Sequence, residues 1–241
     1  MVLIITGTIA PASQAFLKVT DKDERLEQYI SCIRFFINSK SVNKIIFCDN
    51  SDYKDEAGEF KKLTNEARGK GIHLESLFFK GNAENVVLHG KGYGEGEIME
   101  YIFSHSELIK GEEYFYKITG RLIVNNIKDI VRLTTKKNIC HINIPNATRR
   151  DILDTRFYGM PVKMYREYFL KAYENVDDSK ERFLEHVFAH ILRDKKRGLK
   201  HRNIPRYPRL TGRSGSSGGD YVYTEWKCKI KDVLSLFNYY G

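Results

Sequence analysis

Cysteine is scarce in this sequence and never clustered. The four cysteines, Cys32, Cys48, Cys140 and Cys228, lie far apart, and no pair has metal-ligand or redox spacing. That excludes a secreted disulfide scaffold and predicts a reducing, cytoplasmic setting. Long hydrophobic runs are missing as well. No stretch approaches the apolar length that spans a membrane. The opening run Val2 to Ile5 is too short for a signal peptide and has no basic residue before it. Zinc-finger spacing, an RNA-recognition signature, a P-loop and a dinucleotide fingerprint are all lacking, and so are internal repeats. Disorder is excluded by a composition that is 41% hydrophobic and 12% aromatic.

What is present is a 241-residue chain with a formal net charge of +9. The length allows one large domain with a substantial core. The charge favours a polyanionic partner: nucleic acid, anionic lipid or a phosphorylated substrate. Along the first half, short apolar runs alternate with helical patterns. Val2 to Ile5 reads as a buried strand, and Leu26, Tyr29, Ile30, Ile33, Phe36 and Ile37 recur at helical spacing. Lys44 to Cys48 is a second strand, Phe60, Leu63 and Ala67 mark a weaker helix, and Ile72 to Phe79 is a third strand. This alternation predicts an α/β fold with a mostly parallel, Rossmann-like sheet flanked by helices. Ligands then sit at the carboxyl ends of the strands, which puts Thr6, Gly7 and Asn50 on the functional rim.

Further along, Lys91-Gly92-Tyr93-Gly94-Glu95-Gly96-Glu97 reads as a glycine-rich turn feeding a helix. Lys91, Gly92 and Gly94 are candidates there, since glycines let backbone amides approach an anion at a helix start. Tyr114 to Ile118 is a strand broken by Thr119-Gly120-Arg121, and Lys117 and Arg121 bracket the turn as candidate diphosphate contacts. Ile139 to Ile144 and Ile152 to Tyr158 are further apolar runs, the second carrying Asp154 and Arg156 as candidate acceptor or sugar contacts. Helices are expected from about Val162 to Tyr173 and from Lys180 to Arg193. Glu181 and Glu185, one turn apart at the edge of the second helix's apolar face, are candidate bases. His186 and His190 are also four apart but have no third ligand, so no metal site is expected.

After Arg193, nine basic residues crowd into a stretch broken by Pro205 and Pro208, which reads as a long mobile loop. It leads into Ser214 to Gly219, where Ser216 and Ser217 are candidate sugar or acceptor contacts on a closing loop. An amphipathic, aromatic and lysine-bearing segment, Tyr221 to Tyr240, ends the chain and suits an anionic membrane surface. The basic stretch and this segment, 193–241, are expected to belong to the same domain as 1–192.

Three elements in this order resemble the GT-A glycosyltransferases, specifically the small bacterial enzymes of capsule and lipopolysaccharide assembly. They are the Thr6-Gly7-Thr8 strand leading to Asp49-Asn50-Ser51, the Lys91 to Glu97 stretch followed by Lys117 to Arg121, and Asp154 to Tyr158 followed by Glu181 and Glu185. The resemblance spans roughly residues 1 to 192. It implies a cytoplasmic enzyme, placed at the inner face of the plasma membrane, that moves a sugar from a nucleotide sugar to a saccharide or lipid-linked acceptor. It favours Glu185 as the base. The sequence departs from the family where an Asp-X-Asp pair would hold a divalent metal, because that place reads Lys117-Ile118-Thr119. The sole Asp-X-Asp, Asp21-Lys22-Asp23, starts an early helix. A metal-independent reaction without cofactor is therefore expected. Two other readings compete. One is a nucleic-acid-binding protein using 193–213, though the stretch lacks interleaved aromatics. The other is a nucleotidyltransferase, which needs paired acidic metal ligands that are not found.

Overall fold

The computed structural model describes residues 1–11, 21–145, 151–213 and 219–236. The strands are β1 (Val2–Gly7), β2 (Lys44–Asp49), β3 (His73–Phe78), β4 (Tyr114–Thr119), β5 (Leu122–Val124), β6 (Cys140–His141), β7 (Phe157–Pro161), β8 (His201–Arg202), β9 (Leu210–Arg213) and β10 (Asp220–Tyr221). The helices are α1 (Lys22–Ser39), α2 (Glu59–Gly69), α3 (Ala83–His89), α4 (Lys91–His105), α5 (Ile127–Leu133), α6 (Val162–Met164), α7 (Leu184–Arg193) and α8 (Glu225–Leu236).

The main sheet runs β3-β2-β1-β4-β7-β6-β8. β3, β2, β1 and β4 are parallel, and β7 is antiparallel to β4. Every residue of β1 is buried, because the strand is covered on both faces. Alternation sends Val2 and Ile4 into one core and Leu3 and Ile5 into the other. α4 and α7 cover the first face, and α1, α2 and α5 cover the second. The chain is thus an α/β sandwich around a large, mostly parallel sheet. The order 3-2-1-4 makes the carboxyl ends of β1 and β4 the switch point where ligands enter such sheets.

Several elements depart from the sequence reading. The basic stretch after Arg193 is not a plain loop. The amides of Cys140 and Ile142 donate to the carbonyls of Lys200 and Arg202, which extends the main sheet. β9 joins β5 and β10 in a small antiparallel sheet. Backbone pairing is indifferent to side-chain charge, and acidic partners compensate the cations. Arg209 is buried against Asp232 at 2.7 Å, and Arg213 meets Glu24 at 2.6 Å.

The helix expected from Val162 to Tyr173 breaks after α6 into a π turn and a 3₁₀ turn. Its aromatics anchor in different directions: Tyr165 against Phe103, Phe169 against Phe188, and Tyr173 over Gly96. The last helix before the basic stretch starts at Leu184, not Lys180. Among the described residues, no helix is long and apolar enough to cross a membrane.

Candidate active site

The rim is built first by Asp49, fully buried at the end of β2. One carboxylate oxygen accepts from the Ile9 amide at 2.6 Å, and the other accepts from the Ser51 amide at 2.8 Å and hydroxyl at 2.6 Å. Burial raises its pKa, and these hydrogen bonds oppose the rise. The carboxylate thereby lashes the loop after β1 to the loop after β2. The Thr8 hydroxyl donates to Asn50 at 2.7 Å, and the Ala10 amide donates to the Ser51 hydroxyl at 2.9 Å. Of the candidates here, Thr6 and Gly7 are buried within β1. Gly120 donates to the Thr6 carbonyl at 2.8 Å, joining β4 to β1 past the strand ends. Asn50 is half-buried and reaches the Gly94 carbonyl at 3.4 Å.

Three cations meet beside this rim. Arg25, on the buried face of α1, donates through Nε to the Thr8 carbonyl at 2.8 Å and reaches the Tyr29 hydroxyl at 3.5 Å. Arg121 leaves β4 with φ of 70°, donates to Gln28 at 3.0 Å and lies over the Tyr29 ring. Its Nε is buried with no hydrogen-bond partner among the described residues. Lys91 opens α4. Burial lowers the pKa of Arg25, and Arg121 adds to that. Burial likewise lowers Lys91, against Asp178, and both arginines add to the lowering. Burial and neighbouring positive charge thus disfavour the charged forms of Arg25 and Lys91, a state that an anion relieves.

Arg25 was not among the sequence candidates. Its signal was present all the same: Arg25 falls on the same stripe as Tyr29, Cys32, Ile33, Phe36 and Ile37. A charged residue on an apolar stripe needs a reason to be buried.

Lys117 is not on the open rim. It is wholly out of solvent on the α4 side of the sheet. Its ammonium donates to Glu95 at 2.5 Å, to the Thr119 hydroxyl at 2.8 Å and to the Thr155 carbonyl at 3.0 Å. With three donors committed, it does not face a diphosphate directly. The Thr155 hydroxyl, in turn, donates to Glu185 at 2.9 Å. Burial raises the pKa of Glu185, Glu95 raises it further, and Thr155 and Lys117 oppose.

Other candidates are placed differently from the reading. The glycine-rich turn is the first two turns of α4. Its glycines serve packing, for a Cβ on Gly92 would stand 2.8 Å from the Leu184 Cβ, and one on Gly96 would overlap Tyr173. Gly94 packs on Val86 and Asn50. The anion at the start of α4 is the protein's own Asp178, which accepts from the Lys91 amide and lies against Gly90. Glu181 is exposed with φ of 54°, ahead of α7 rather than on it, so the one-turn spacing to Glu185 does not hold. Asp154 and Arg156 precede β7 and pair with each other at 2.8 and 2.6 Å, with Arg156 over the Tyr221 ring. Ser216 and Ser217 lie outside the described residues. His186 sits 3.4 Å from Asp151, and among the described residues no three acidic, histidine or cysteine side chains form a metal-binding group. Two hollows lie away from this rim. One of about 340 Å³ is at the amino ends of the strands beside Met1 and Val42, and one of about 580 Å³ is beside Glu113 and Arg166.

No family model matches the chain, and no curated protein matches it in sequence. Among solved structures it is similar to that of a protein from Desulfovibrio desulfuricans G20 inferred to be a nucleotide-diphospho-sugar transferase. The TM-score is 0.50 at 8% identity, covering 83% of this chain and 77% of that one. What the two share is the fold: a large, mostly parallel α/β sheet flanked by helices.

Proposed function

We propose that this chain is a glycosyltransferase that moves a sugar from a nucleotide-sugar donor to a saccharide or lipid-linked acceptor, in the assembly of cell-surface polysaccharide. The observation that carries the reading is that Arg25 and Arg121 both lie against Tyr29 at the switch point of the sheet, with Lys91 at the start of α4 near enough to feel both charges. A leaving nucleoside diphosphate gains negative charge, and preorganised cations in a partly desolvated site stabilise that charge. The planar guanidinium of Arg121, whose buried Nε has no hydrogen-bond partner among the described residues, suits bidentate contact with a phosphate. The buried Lys117 holds Glu95 and Thr155 in place, and through Thr155 it orients Glu185.

Glu185 is the proposed base. The acceptor oxygen bonds to the anomeric carbon, the bond from that carbon to the diphosphate oxygen breaks, and the acceptor proton passes to Glu185. A carboxylate whose pKa is raised by burial is better matched to that proton transfer than an exposed one.

GT-A enzymes commonly hold a divalent metal at the end of β4. The residues here do not fit one, since the position is taken by the ammonium of Lys117 in contact with Glu95. Donor binding is proposed to be metal-independent.

A thermal-shift panel tests the reading, with nucleoside diphosphates and oligonucleotides each assayed with and without EDTA. Stabilisation by one nucleoside diphosphate, retained in EDTA, is expected. Stabilisation by oligonucleotides alone would overturn it.

A further inference from the structure

The two sides of α8 differ in kind. One side of the helix is fixed to the body of the protein. Cys228 and Asp232 are buried there, and Asp232 accepts from Arg209 at 2.7 and 3.0 Å and from the Tyr207 amide at 2.6 Å. The other side is apolar and open. Trp226 is 61% exposed, Ile230 52% and Val233 55%. Their spacing of four and three residues makes them one stripe. Val222, just before the helix, is also exposed, so four of the eight exposed large hydrophobics among the described residues fall in this short segment. Such clustering marks an interaction surface.

The charges around the stripe select the partner. At about 100° per residue, Lys227 and Lys229 fall on opposite sides of the stripe, and both are exposed. Lys231 lies further round and is engaged with Tyr207 at 2.9 Å. The acidic residues of the helix are turned away from the stripe, since Glu225 and Asp232 both bind Arg209. A tryptophan and branched aliphatics in a row, bracketed by lysines, form the pattern of a helix lying in a lipid headgroup layer. A second copy of the chain fits less well, because a two-fold contact would set the same lysines against each other.

We propose that α8 docks flat on an anionic membrane surface, with Trp226, Ile230 and Val233 in the interface and Lys227 and Lys229 on the headgroups. The buried Arg209–Asp232 pair then fixes how the bound protein is oriented, because the helix cannot swing free of it.

Trp226 is the chain's single tryptophan, so its fluorescence reports on this surface alone. The full chain is mixed at low salt with neutral phosphatidylcholine vesicles, and with vesicles in which about a third of the lipid is phosphatidylglycerol. Co-sedimentation with the anionic vesicles, a blue shift of Trp226 emission and release by high salt are expected. Each lysine should contribute about fivefold to partitioning, so joint reversal, Lys227→Glu with Lys229→Glu, should weaken it by well over tenfold. Ile230→Gln with Val233→Gln should abolish the blue shift while the melting temperature stays near that of the parent. Protein left in the supernatant at low salt with unshifted emission overturns the proposal. So does concentration-dependent self-association without lipid that Ile230→Gln removes.

Discussion

Lys117 and Glu95 form an ion pair, 2.5 Å apart, with the lysine wholly shielded and the glutamate side chain 19% exposed. Removing one member of such a pair leaves the other uncompensated, which costs about 3–5 kcal/mol. Lys117→Met should therefore destabilise the protein by about that amount in urea unfolding. Adding Glu95→Gln should recover part of the loss. A single-variant loss below about 1 kcal/mol would show that solvent already serves Glu95.

Glu185→Gln should lower turnover by about two to four orders of magnitude, the usual range for a positioned acid or base. Nucleoside diphosphate affinity, measured by calorimetry, should barely change. Near-normal turnover would move the role of base to another residue.

The pH dependence of that same group has a defined sign. Burial raises the folded-state pKa of Glu185 above its unfolded value. Its contribution to stability is therefore fully present below the unfolded pKa and is lost as pH rises through the folded pKa. Activity should run the other way, since the base works only when ionised. The acid limb of turnover should lie above the ordinary glutamate range, near 4.3. Glu185→Gln should remove that limb and, above it, unfold at a higher temperature relative to the parent than it does in acid. An acid limb that persists in the variant would assign it to another carboxyl, such as Asp49, which burial also raises.

Arg121→Ala and Arg25→Ala should each weaken binding of the nucleoside diphosphate about tenfold or more, as expected for the loss of a charge-assisted contact. EDTA should leave the parent's affinity unchanged. Equal affinity in all three proteins would show that the cluster only braces Thr8 and Gln28.

Gly96→Ala separates packing from ligand binding at the start of α4. The added methyl group would overlap Tyr173. A loss of about 1–3 kcal/mol is expected from overpacking, partly offset by the better helix propensity of alanine. Donor affinity should hold. A stable variant with lost affinity would return the glycines to phosphate binding.

The sequence by itself determined the sheet's parallel half and which turns follow its strands. Apolar runs in Val2 to Ile5 and Lys44 to Cys48, alternating with helical stripes, are local signals, and local periodicity is enough to choose strand or helix. It also placed Asn50, Gly120 and Arg121 at strand ends. The tertiary structure alone decided which charges meet. Arg25 joins Arg121 and Lys91 only because β1 and β4 are neighbours and α1 packs beside them. Asp178 reaches the start of α4 across many residues of sequence, and no spacing rule predicts that contact. Glu181 looks equivalent to Glu185 in the sequence, but the chain takes a left-handed turn at Glu181, ahead of the helix that carries Glu185, and leaves Glu181 exposed. The basic stretch looked like a loop because side-chain charge hides backbone pairing. Its strands exist because β5 and β6 offered open edges, and because Asp232 and Glu225 lay close enough to neutralise Arg209.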